Sequence, residues 1–408
     1  MAVRARLKSG LPPPDMPANA ARIAHQPALT SLRFFAAALV VFFHYLPRGE
    51  ADNAWWIRII NHGYVGVSFF FVLSGFILAY TGFNTDYSCR YERRVFYARR
   101  LARIYPAFLL ATLLDWPLFA WFQYATLPVT DCVLRVLLVT CVTLALVQSW
   151  LPWSLGQLNA PGWTIGVEMF LYASLPRLMN AYRALGSSGR WWCVAFALGL
   201  CWVPAIIAPW TEHWFPDSQR LPNWLHSPYP AAATWINCFP PFHLAQFFVG
   251  MAVGCWVAGR TDHRLNAKST GLALMSVLTF SVLVLAVPRG AWPLFDIAIN
   301  HGALASAFAV LFAAIALTPQ APWLKPLGWK PLVLLGDASY ALYIFQMPVM
   351  KWVSLAFQKI GIHELPMLIF TTGFVMLIAV SLISWKFEQW ARPRLASWLM
   401  QRLRGHAA

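Results

Sequence analysis

Charged residues are scarce in this chain. Only 11% of its 408 residues are Asp, Glu, Lys or Arg, whereas 59% are hydrophobic. Soluble domains are about one quarter charged, so this composition excludes an ordinary water-soluble enzyme and predicts an integral membrane protein. Acidic residues are rarer than basic residues, with 15 Asp and Glu against 31 Lys and Arg. We attribute the basic excess to the cytoplasmic face of a membrane protein, and no nucleic-acid partner is expected.

Two further patterns are absent from the sequence. The seven cysteines are scattered and form no CxxC pair, which argues against a disulfide framework, and no metal is expected. The N-terminus is basic and proline-rich, without an apolar core followed by a small-residue cleavage site. Residues 1–27 are therefore predicted to be a disordered cytoplasmic tail and not a signal peptide.

Long apolar runs dominate the rest of the chain, and ten of them approach the ~20 residues that a bilayer requires. They lie at about 28–47, 63–82, 103–124, 163–181, 191–210, 240–259, 270–288, 299–317, 332–355 and 365–385. An eleventh run, 133–150, is also apolar but contains Arg135.

The distribution of Lys and Arg decides between ten and eleven spans. With ten spans and a cytoplasmic N-terminus, most cations lie on the cytoplasmic side. The cations left in outer loops are Arg48, Arg58, Arg220, Arg289 and Lys359. If 133–150 crossed the membrane, every later loop would change sides and this asymmetry would be lost. The sequence predicts an all-α membrane protein with both termini cytoplasmic, in which 133–150 is a re-entrant or interfacial helix.

Two polar residues interrupt the first apolar run, SLRFFAAALVVFFHY. Arg33 and His44 are 11 positions apart, which places them on one face of a helix, about 16 Å apart along its axis. Polar groups at such depth usually face a partner or a cavity. A tunnel with a cation at its inner end and an acid–base group farther up would suit an acyl-CoA donor with its phosphates near the cytoplasm. The alternative is structural, with Arg33 paired to an acid and His44 bonded to a neighbouring carbonyl.

Several motifs then follow one another along the chain. They are LRFFAAALVVFFH, GYVGVSFFFVLSGFIL, YARRLARIYP, WTIGVEMFLY, PFHLAQFFVGMAVG, GDASYALYIFQMP and FEQWARP. Together they resemble the acyltransferase-3 family of integral membrane acyltransferases over about residues 28–394, with a basic cytoplasmic tail at 395–408. The resemblance implies acylation of sugars and related acceptors in the bacterial cytoplasmic (inner) membrane.

The chain departs from the family pattern at two positions. Gln346 stands where the family often has His, and Gln246 stands where an acid is common. Glutamine donates and accepts hydrogen bonds but does not transfer a proton near neutral pH. If relatives transfer a proton at the position of Gln346, this chain therefore does not do so in the same way.

The resemblance marks Arg33, His44 and Glu168 as the expected catalytic residues. Arg100 and Arg103, together with Arg33, are expected to bind the phosphates of CoA, because guanidinium groups bind phosphate oxygens bidentately. The alternative for Arg100 and Arg103 is ordinary cytoplasmic loop charge. Counted from the start of its span, Glu168 is expected near the depth of His44, where it would orient the imidazole. Alternatively, Glu168 closes a structural hydrogen-bond network.

A further set of residues is expected to line or support the cavity. It comprises Gly63, Gly66, Ser74, Asp115, Trp163, Ser339, Tyr340, Tyr343 and Gln346. Small residues also allow close helix packing, and aromatic residues also pack. A purely structural role is therefore the alternative for this set.

The leading hypothesis is a membrane O-acyltransferase. It would move an acyl group from cytoplasmic acyl-CoA to a hydroxyl of a carbohydrate, such as a lipid-linked exopolysaccharide or lipopolysaccharide unit. Acetyl is the expected acyl group. His44 would act as general base or carry the acyl group covalently. The alternatives are a proton-coupled transporter or flippase of a glycolipid, and an acyltransferase for a small glycosylated product.

Overall fold

The computed structural model describes residues 26–48, 54–82, 92–214, 231–260, 267–362 and 364–405. Within these ranges the chain forms α-helices joined by turns and 3-10 segments, and it forms no β-strand. This agrees with the all-α expectation. Most of the predicted N-terminal tail lies outside the described residues, and the first helix begins at Pro27. At the other end, residues 395–405 of the predicted tail continue the last helix.

The helices are numbered in chain order. They are α1 (Pro27–Tyr45), α2 (Trp55–Asn61), α3 (Val65–Gly82), α4 (Arg93–Thr126), α5 (Val129–Leu144), α6 (Trp163–Ala184), α7 (Ser187–Leu200), α8 (Val203–Ile207), α9 (Ala231–Cys238), α10 (Leu244–Ala258), α11 (Ala267–Leu285), α12 (Pro293–Asn300), α13 (Ala305–Leu317), α14 (Lys330–Asp337), α15 (Ser339–Lys359) and α16 (Pro366–Gly405).

Glycines bring the central helices α1, α3 and α10 into close contact. A methyl group at Gly66 would lie 2.6 Å from the carbonyl oxygen of Ala36 in α1, and Gly63, just before α3, is equally crowded by α1. A methyl group at Gly250 of α10 would overlap the carbonyl oxygen of Val72 in α3. Only a residue without a Cβ permits such backbone approach. Gly63 and Gly66 therefore serve close helix packing, and they do not line the cavity described below.

Seven helical stretches in the described chain are long and apolar enough to cross a membrane, and the bent pair α14–α15 would make eight. The chain is thus a multi-pass membrane protein. Two of the ten expected spans are not among these eight. Helix α6 has 22 residues but carries Glu168, Arg177 and Arg183, and the apolar part of α11, Thr270–Leu285, is shorter than the ~20 residues of a full span. The count of ten and the side of each terminus stay predictions.

Two of the apolar helical stretches are broken. Helices α14 and α15 meet at an angle of 62° around Ala338. Helices α12 and α13 are separated at His301–Leu304, where Gly302 has a φ of +102° that favours glycine. The first break is the one that matters for the site, because it places Asp337 at the rim of the central cavity.

The disputed run 133–150 does not form a full span. Helix α5 has 16 residues, fewer than a bilayer requires. It folds back along α4, where the indole of Trp116 donates a hydrogen bond to the hydroxyl of Thr140 at 3.0 Å. The helix starts four residues before the apolar run starts and ends six residues before the run ends.

The chain between α5 and α6 forms a compact turn. It reverses at Leu146, which has a left-handed φ of 60°, and passes through three 3-10 turns before α6 begins at Trp163. Residues 145–162 are called the re-entrant segment below. Its position means that α6 begins among the other helices, with its first turn buried.

Candidate active site

A cavity of about 340 Å³ lies among helices α1, α3, α4, α6 and α15. Its volume is at the lower end of the range for small-molecule sites, roughly 300–1,000 Å³. The charged groups in its lining are Arg33, Arg100, Arg103, Arg392, Glu168 and Asp337. Both Arg392 and Asp337 are exposed and mark the open end of the cavity.

Four guanidinium groups converge on this cavity although like charges repel. Arg33 of α1 interacts electrostatically with Arg103 of α4, and Arg100 interacts with both Arg103 and Arg392. Two carboxylates in the lining offset only part of this charge. A concave surface with a surplus of positive charge favours an anionic ligand.

Arg100 has an unused hydrogen-bond donor. Its Nε is buried and makes no hydrogen bond to any described residue, while its guanidinium lies 5.6 Å from the centre of the Phe96 ring. A buried donor without an acceptor costs about 1–3 kcal/mol, and a polar ligand that binds there would remove this cost. Arg100 and Arg103 thus fit the expected role of binding phosphate oxygens.

Glu168 lies among the arginines and not beside His44. Its carboxylate accepts hydrogen bonds from the Ser74 hydroxyl at 3.5 Å and from the Tyr172 hydroxyl at 3.3 Å. Arg103, Arg33 and Arg100 are close enough to act on this carboxylate electrostatically. The expected pairing of Glu168 with His44 is therefore not formed.

The depth at which α6 begins explains this difference. Because the re-entrant segment precedes α6, Thr164 in its first turn already neighbours Tyr343 in the wall of the cavity. Glu168 lies one turn farther along, within electrostatic range of Arg33. The expected depth of Glu168 assumed that its span starts at the membrane surface. Because α6 starts deeper, that assumption placed Glu168 too close to His44.

His44 is exposed near the C-terminal end of α1 and does not line the cavity. Its Nδ1 lies 2.9 Å from the carbonyl oxygen of Val40. This nitrogen therefore donates to the carbonyl, which leaves Nε2 of a neutral ring able to accept a proton. The carbonyl contact foreseen as a structural alternative is present, and it also sets the tautomer that a general base needs.

The cavity ends before it reaches His44. The rings of Phe70 and Tyr343, which both line the cavity, are 6.3 Å apart. Gln346, one turn farther along α15, donates from Nε2 to the carbonyl of Tyr343 at 2.8 Å. Its side chain also neighbours the His44 ring. Neither His44 nor Gln346 lines the cavity, so the expected tunnel from Arg33 to His44 is not formed in this structure.

Asp115 does not line the cavity, contrary to expectation. Its buried carboxylate binds the ammonium group of Lys351 at 2.9 and 3.2 Å and accepts a hydrogen bond from the backbone amide of Asn159 at 2.8 Å. Asn159 itself has a left-handed φ of 45°. Asp115 therefore ties α4, α15 and the re-entrant segment together, which is a supporting role.

Two tyrosines of α15 and one serine of α3 line the cavity as expected. Tyr340 and Tyr343 lie in its wall with Ser74. The hydroxyl of Tyr340 donates to the carbonyl of Ile104 at 2.9 Å, which fixes α15 against α4.

The two remaining predicted residues do not line the cavity. Ser339 is buried, and its hydroxyl has no partner among the described residues. Trp163 packs against the rings of Phe71 and His243, at 6.3 and 5.5 Å between ring centres. Because Phe71 lines the cavity, Trp163 supports its wall from behind.

Sequence reasoning did not single out Arg392 at the opening of the cavity. Its Nη2 lies 3.6 Å from the carboxylate of Glu388, which is buried on the same helix. A signal was available, because FEQWARP places these two residues four positions apart, where helical side chains meet.

Comparisons with known proteins show which proteins this chain is similar to. A family model described as an acyltransferase domain matches residues 26–386. The acyltransferase MdmB of Streptomyces mycarofaciens is 28% identical over 341 residues, which cover 81% of this chain and 80% of that protein. Nodulation protein 10 of Rhizobium leguminosarum bv. viciae is 25% identical over 403 residues, covering 95% of this chain and 98% of that protein.

A third relative is longer than this chain. The O-acetyltransferase OatA of Staphylococcus aureus is 24% identical over 382 residues, which cover 88% of this chain but only 56% of that protein. No solved structure matches this chain.

Proposed function

Because the chain belongs to the acyltransferase-3 family and is a membrane O-acyltransferase, we propose that it transfers an acyl group from acyl-CoA to a hydroxyl of a carbohydrate. The donor is acetyl-CoA, and the acceptor is a lipid-linked unit of an exopolysaccharide or lipopolysaccharide. The protein lies in the bacterial cytoplasmic membrane with ten spans, and its termini and the open end of the cavity face the cytoplasm.

The arginine-lined cavity is the observation that carries this proposal. Four guanidinium groups surround it, and the Nε of Arg100 is buried there without an acceptor. The phosphates of a CoA ester would supply acceptors and negative charge at this position. The exposed Arg392 at the opening provides a first contact for a donor that arrives from the cytoplasm.

His44 then acts on the acceptor hydroxyl. With its Nδ1 held by the carbonyl of Val40, Nε2 takes the hydroxyl proton as the oxygen attacks the thioester carbonyl. The new C–O bond forms, the C–S bond breaks, and the proton passes to the departing CoA thiolate, which restores the neutral imidazole. If the acyl group passes to His44 first, the same Nε2 forms the covalent link.

The transfer requires movement between the cavity and His44, because His44 does not line the cavity. We expect Phe70 and Tyr343 to separate as the thioester advances, since both line the cavity and Tyr343 lies one turn before Gln346, the neighbour of His44. Phe70 is only half-buried, so its side chain has room to turn when the donor enters. Glu168 serves the arginine end in this scheme, where it holds Ser74 and Tyr172 and balances part of the positive charge.

Purified protein in detergent, supplied with acetyl-CoA labelled in its acetyl group and with membrane glycolipid, tests this function. We expect His44→Ala to abolish transfer to the glycolipid while binding acetyl-CoA with unchanged affinity. His213→Ala removes an exposed imidazole elsewhere and should change neither. Transfer that persists in His44→Ala would contradict the assignment.

The same preparation in liposomes separates the enzyme from a carrier. A transporter or flippase would move glycolipid across the bilayer without acetyl-CoA, whereas the enzyme produces acetylated glycolipid and free CoA. Replacing the glycolipid by small glycosylated products in the transfer assay distinguishes the third hypothesis.

A further inference from the structure

Two cations of the predicted outer loops converge next to His44. The guanidinium carbons of Arg48 and Arg289 lie 6.0 and 5.4 Å from the centre of the Phe43 ring. The rings of Phe43 and His44 are 4.9 Å apart. Arg289 also lies 5.3 Å from the centre of the Tyr64 ring. Cations are few on this side of the predicted topology, so their convergence on one ring is informative.

Both arginines are close to the imidazole. Because the 5.4 and 4.9 Å distances share the Phe43 ring, the guanidinium carbon of Arg289 lies no more than about 10 Å from the centre of the His44 ring. Arg48 is near enough to influence His44 electrostatically. Positive charge therefore borders the exposed imidazole at the end of α1 remote from Arg33.

The fold holds Arg48 in this position. Its Nε donates to the side-chain oxygen of Asn61 at 2.8 Å, and its Nη2 donates to the carbonyl of Phe43 at 2.6 Å. These neutral acceptors orient the guanidinium but leave its charge without an ionic partner in the described part of the chain.

The turn that carries Arg289 is also fixed. The amide of Gly290, which has a φ of +84°, donates to Asp296 at 2.6 Å, and the other oxygen of that carboxylate lies 3.3 Å from Nε2 of His62. The carboxylate of Asp296 thus contacts the Gly290 amide and His62, and it forms no ion pair with Arg289 in the described part of the chain. Arg289 is exposed, and its described contacts are the faces of Phe43 and Tyr64.

We propose that Arg48 and Arg289 bind an anionic group of the acceptor, so that the acceptor carries a carboxylate or a phosphate close to the hydroxyl that is acylated. This inference rests on the proposed function, in which the acceptor approaches His44 from this side. An arginine stacked on aromatic rings presents its N–H fork edgewise to a carboxylate or phosphate. A separation of no more than about 10 Å from His44 suits a hydroxyl and an acid on the same or a neighbouring sugar unit.

Binding of three small probes to the purified full chain in detergent tests this inference without acetyl-CoA. The probes are methyl glucuronide, glucose 1-phosphate and the neutral methyl glucoside. We expect at least one anionic probe to bind about tenfold more tightly than the neutral one, the effect of one charge-assisted hydrogen bond. Added salt should reduce the difference, because both arginines are exposed.

Variants locate the source of the preference. Arg289→Gln and Arg48→Gln should each bring the affinities of anionic and neutral probes close together. Lys359→Gln removes an exposed cation of another predicted outer loop and should leave the preference intact. Equal binding of all three probes to the unmodified protein, or a preference that Arg289→Gln does not change, overturns the inference.

Two controls distinguish an acceptor site from a lipid-headgroup site and from the donor site. In nanodiscs of phosphatidylcholine, a preference abolished by added phosphatidylglycerol would assign the arginines to a lipid headgroup and overturn the acceptor assignment, whereas an unchanged preference supports it. Acetyl-CoA binding and the His44→Ala transfer assay are measured separately. Failure of those experiments would remove the proposed donor chemistry, while the probe preference would still decide whether this end of the protein binds anions.

Discussion

Unused hydrogen-bonding capacity marks individual residues of the site. The Nε of Arg100 is buried and without a hydrogen-bond partner among the described residues, whereas the buried side chain of Gln346 lies beside the His44 ring. They lie at opposite ends of the path between the arginine cavity and His44. Because buried polar atoms are normally satisfied, the free Nε of Arg100 fits a polar ligand in the arginine cavity.

Arg100→Gln tests the donor end at this scale. Losing charged hydrogen bonds worth about 1.5–3 kcal/mol should weaken acetyl-CoA binding by roughly 10- to 100-fold, as measured by equilibrium binding to the purified protein. Arg93→Gln, an exposed position on the same helix outside the cavity lining, is the matched control and should bind normally. Equal losses in the two variants would indicate a general charge effect and not a phosphate site.

Glu168→Gln tests whether Glu168 acts on the arginines, as the structure indicates, or on His44, as the sequence predicts. Because Glu168 faces Arg103 and Arg33, removing its charge should leave the cavity more positive and tighten acetyl-CoA binding by about three- to tenfold. The pH–rate profile of acetyl transfer should keep its midpoint, since Glu168 does not contact His44. A shifted midpoint with unchanged donor affinity would restore the expected His–carboxylate pair.

Interrupted helices shape the site at the scale of secondary-structure elements. The re-entrant segment lets α6 begin among the other helices, and the 62° break between α14 and α15 places Asp337 at the opening of the cavity. Asp115 connects these elements, because it binds Lys351 of α15 and the backbone of Asn159 in the re-entrant segment. The position of Glu168 therefore depends on a contact made 53 residues earlier in the chain.

Asp115→Ala tests this connection. It leaves the Lys351 ammonium group and the Asn159 amide without their acceptor, and breaking a buried ion pair in this way costs roughly 3–5 kcal/mol. A clearly lower thermal midpoint is expected from differential scanning fluorimetry of the detergent-solubilised protein. The double variant Asp115→Leu/Lys351→Met should recover part of the loss, because no charge is then left unpaired.

Asp131→Ala supplies the control for this comparison. Asp131 lies in the first turn of α5, where a carboxylate contributes about 0.3–1 kcal/mol. An Asp115→Ala midpoint equal to that of Asp131→Ala would show that Asp115 does not hold the re-entrant segment.

The predicted orientation of the whole molecule rests on its charge distribution. Basic residues concentrate at one end of the predicted topology, and this asymmetry favours a cytoplasmic location for that end. The proposed donor and acceptor sites use opposite ends, with the arginine cavity at one and Arg48 and Arg289 at the other.

Single cysteines introduced into a cysteine-free variant test this orientation in intact cells. Lys359 and Lys386 are both exposed and lie on successive helices, so one predicted span separates them. A membrane-impermeant maleimide should label Lys359→Cys from outside, whereas Lys386→Cys should react only after the membrane is opened. The reverse pattern would place the arginine cavity outside and remove its access to cytoplasmic CoA.

The sequence by itself determined the membrane character, the helical class and the local groupings along single helices. Arg33 and His44 share a face because helical periodicity is a local property, and Arg100, Arg103, Tyr340 and Tyr343 reach the cavity at spacings set within α4 and α15. The 16-residue length of α5 also agrees with the exclusion of 133–150 as a span.

Only the tertiary structure decided which of these groups meet. Glu168 joins the arginines, Asp115 leaves the cavity for Lys351, and Arg289 reaches Phe43 beside His44. These pairs are separated by long stretches of chain, and their contacts depend on the depth at which each helix begins and on how neighbouring backbones pack. Residue spacing along one helix carries no information about that depth.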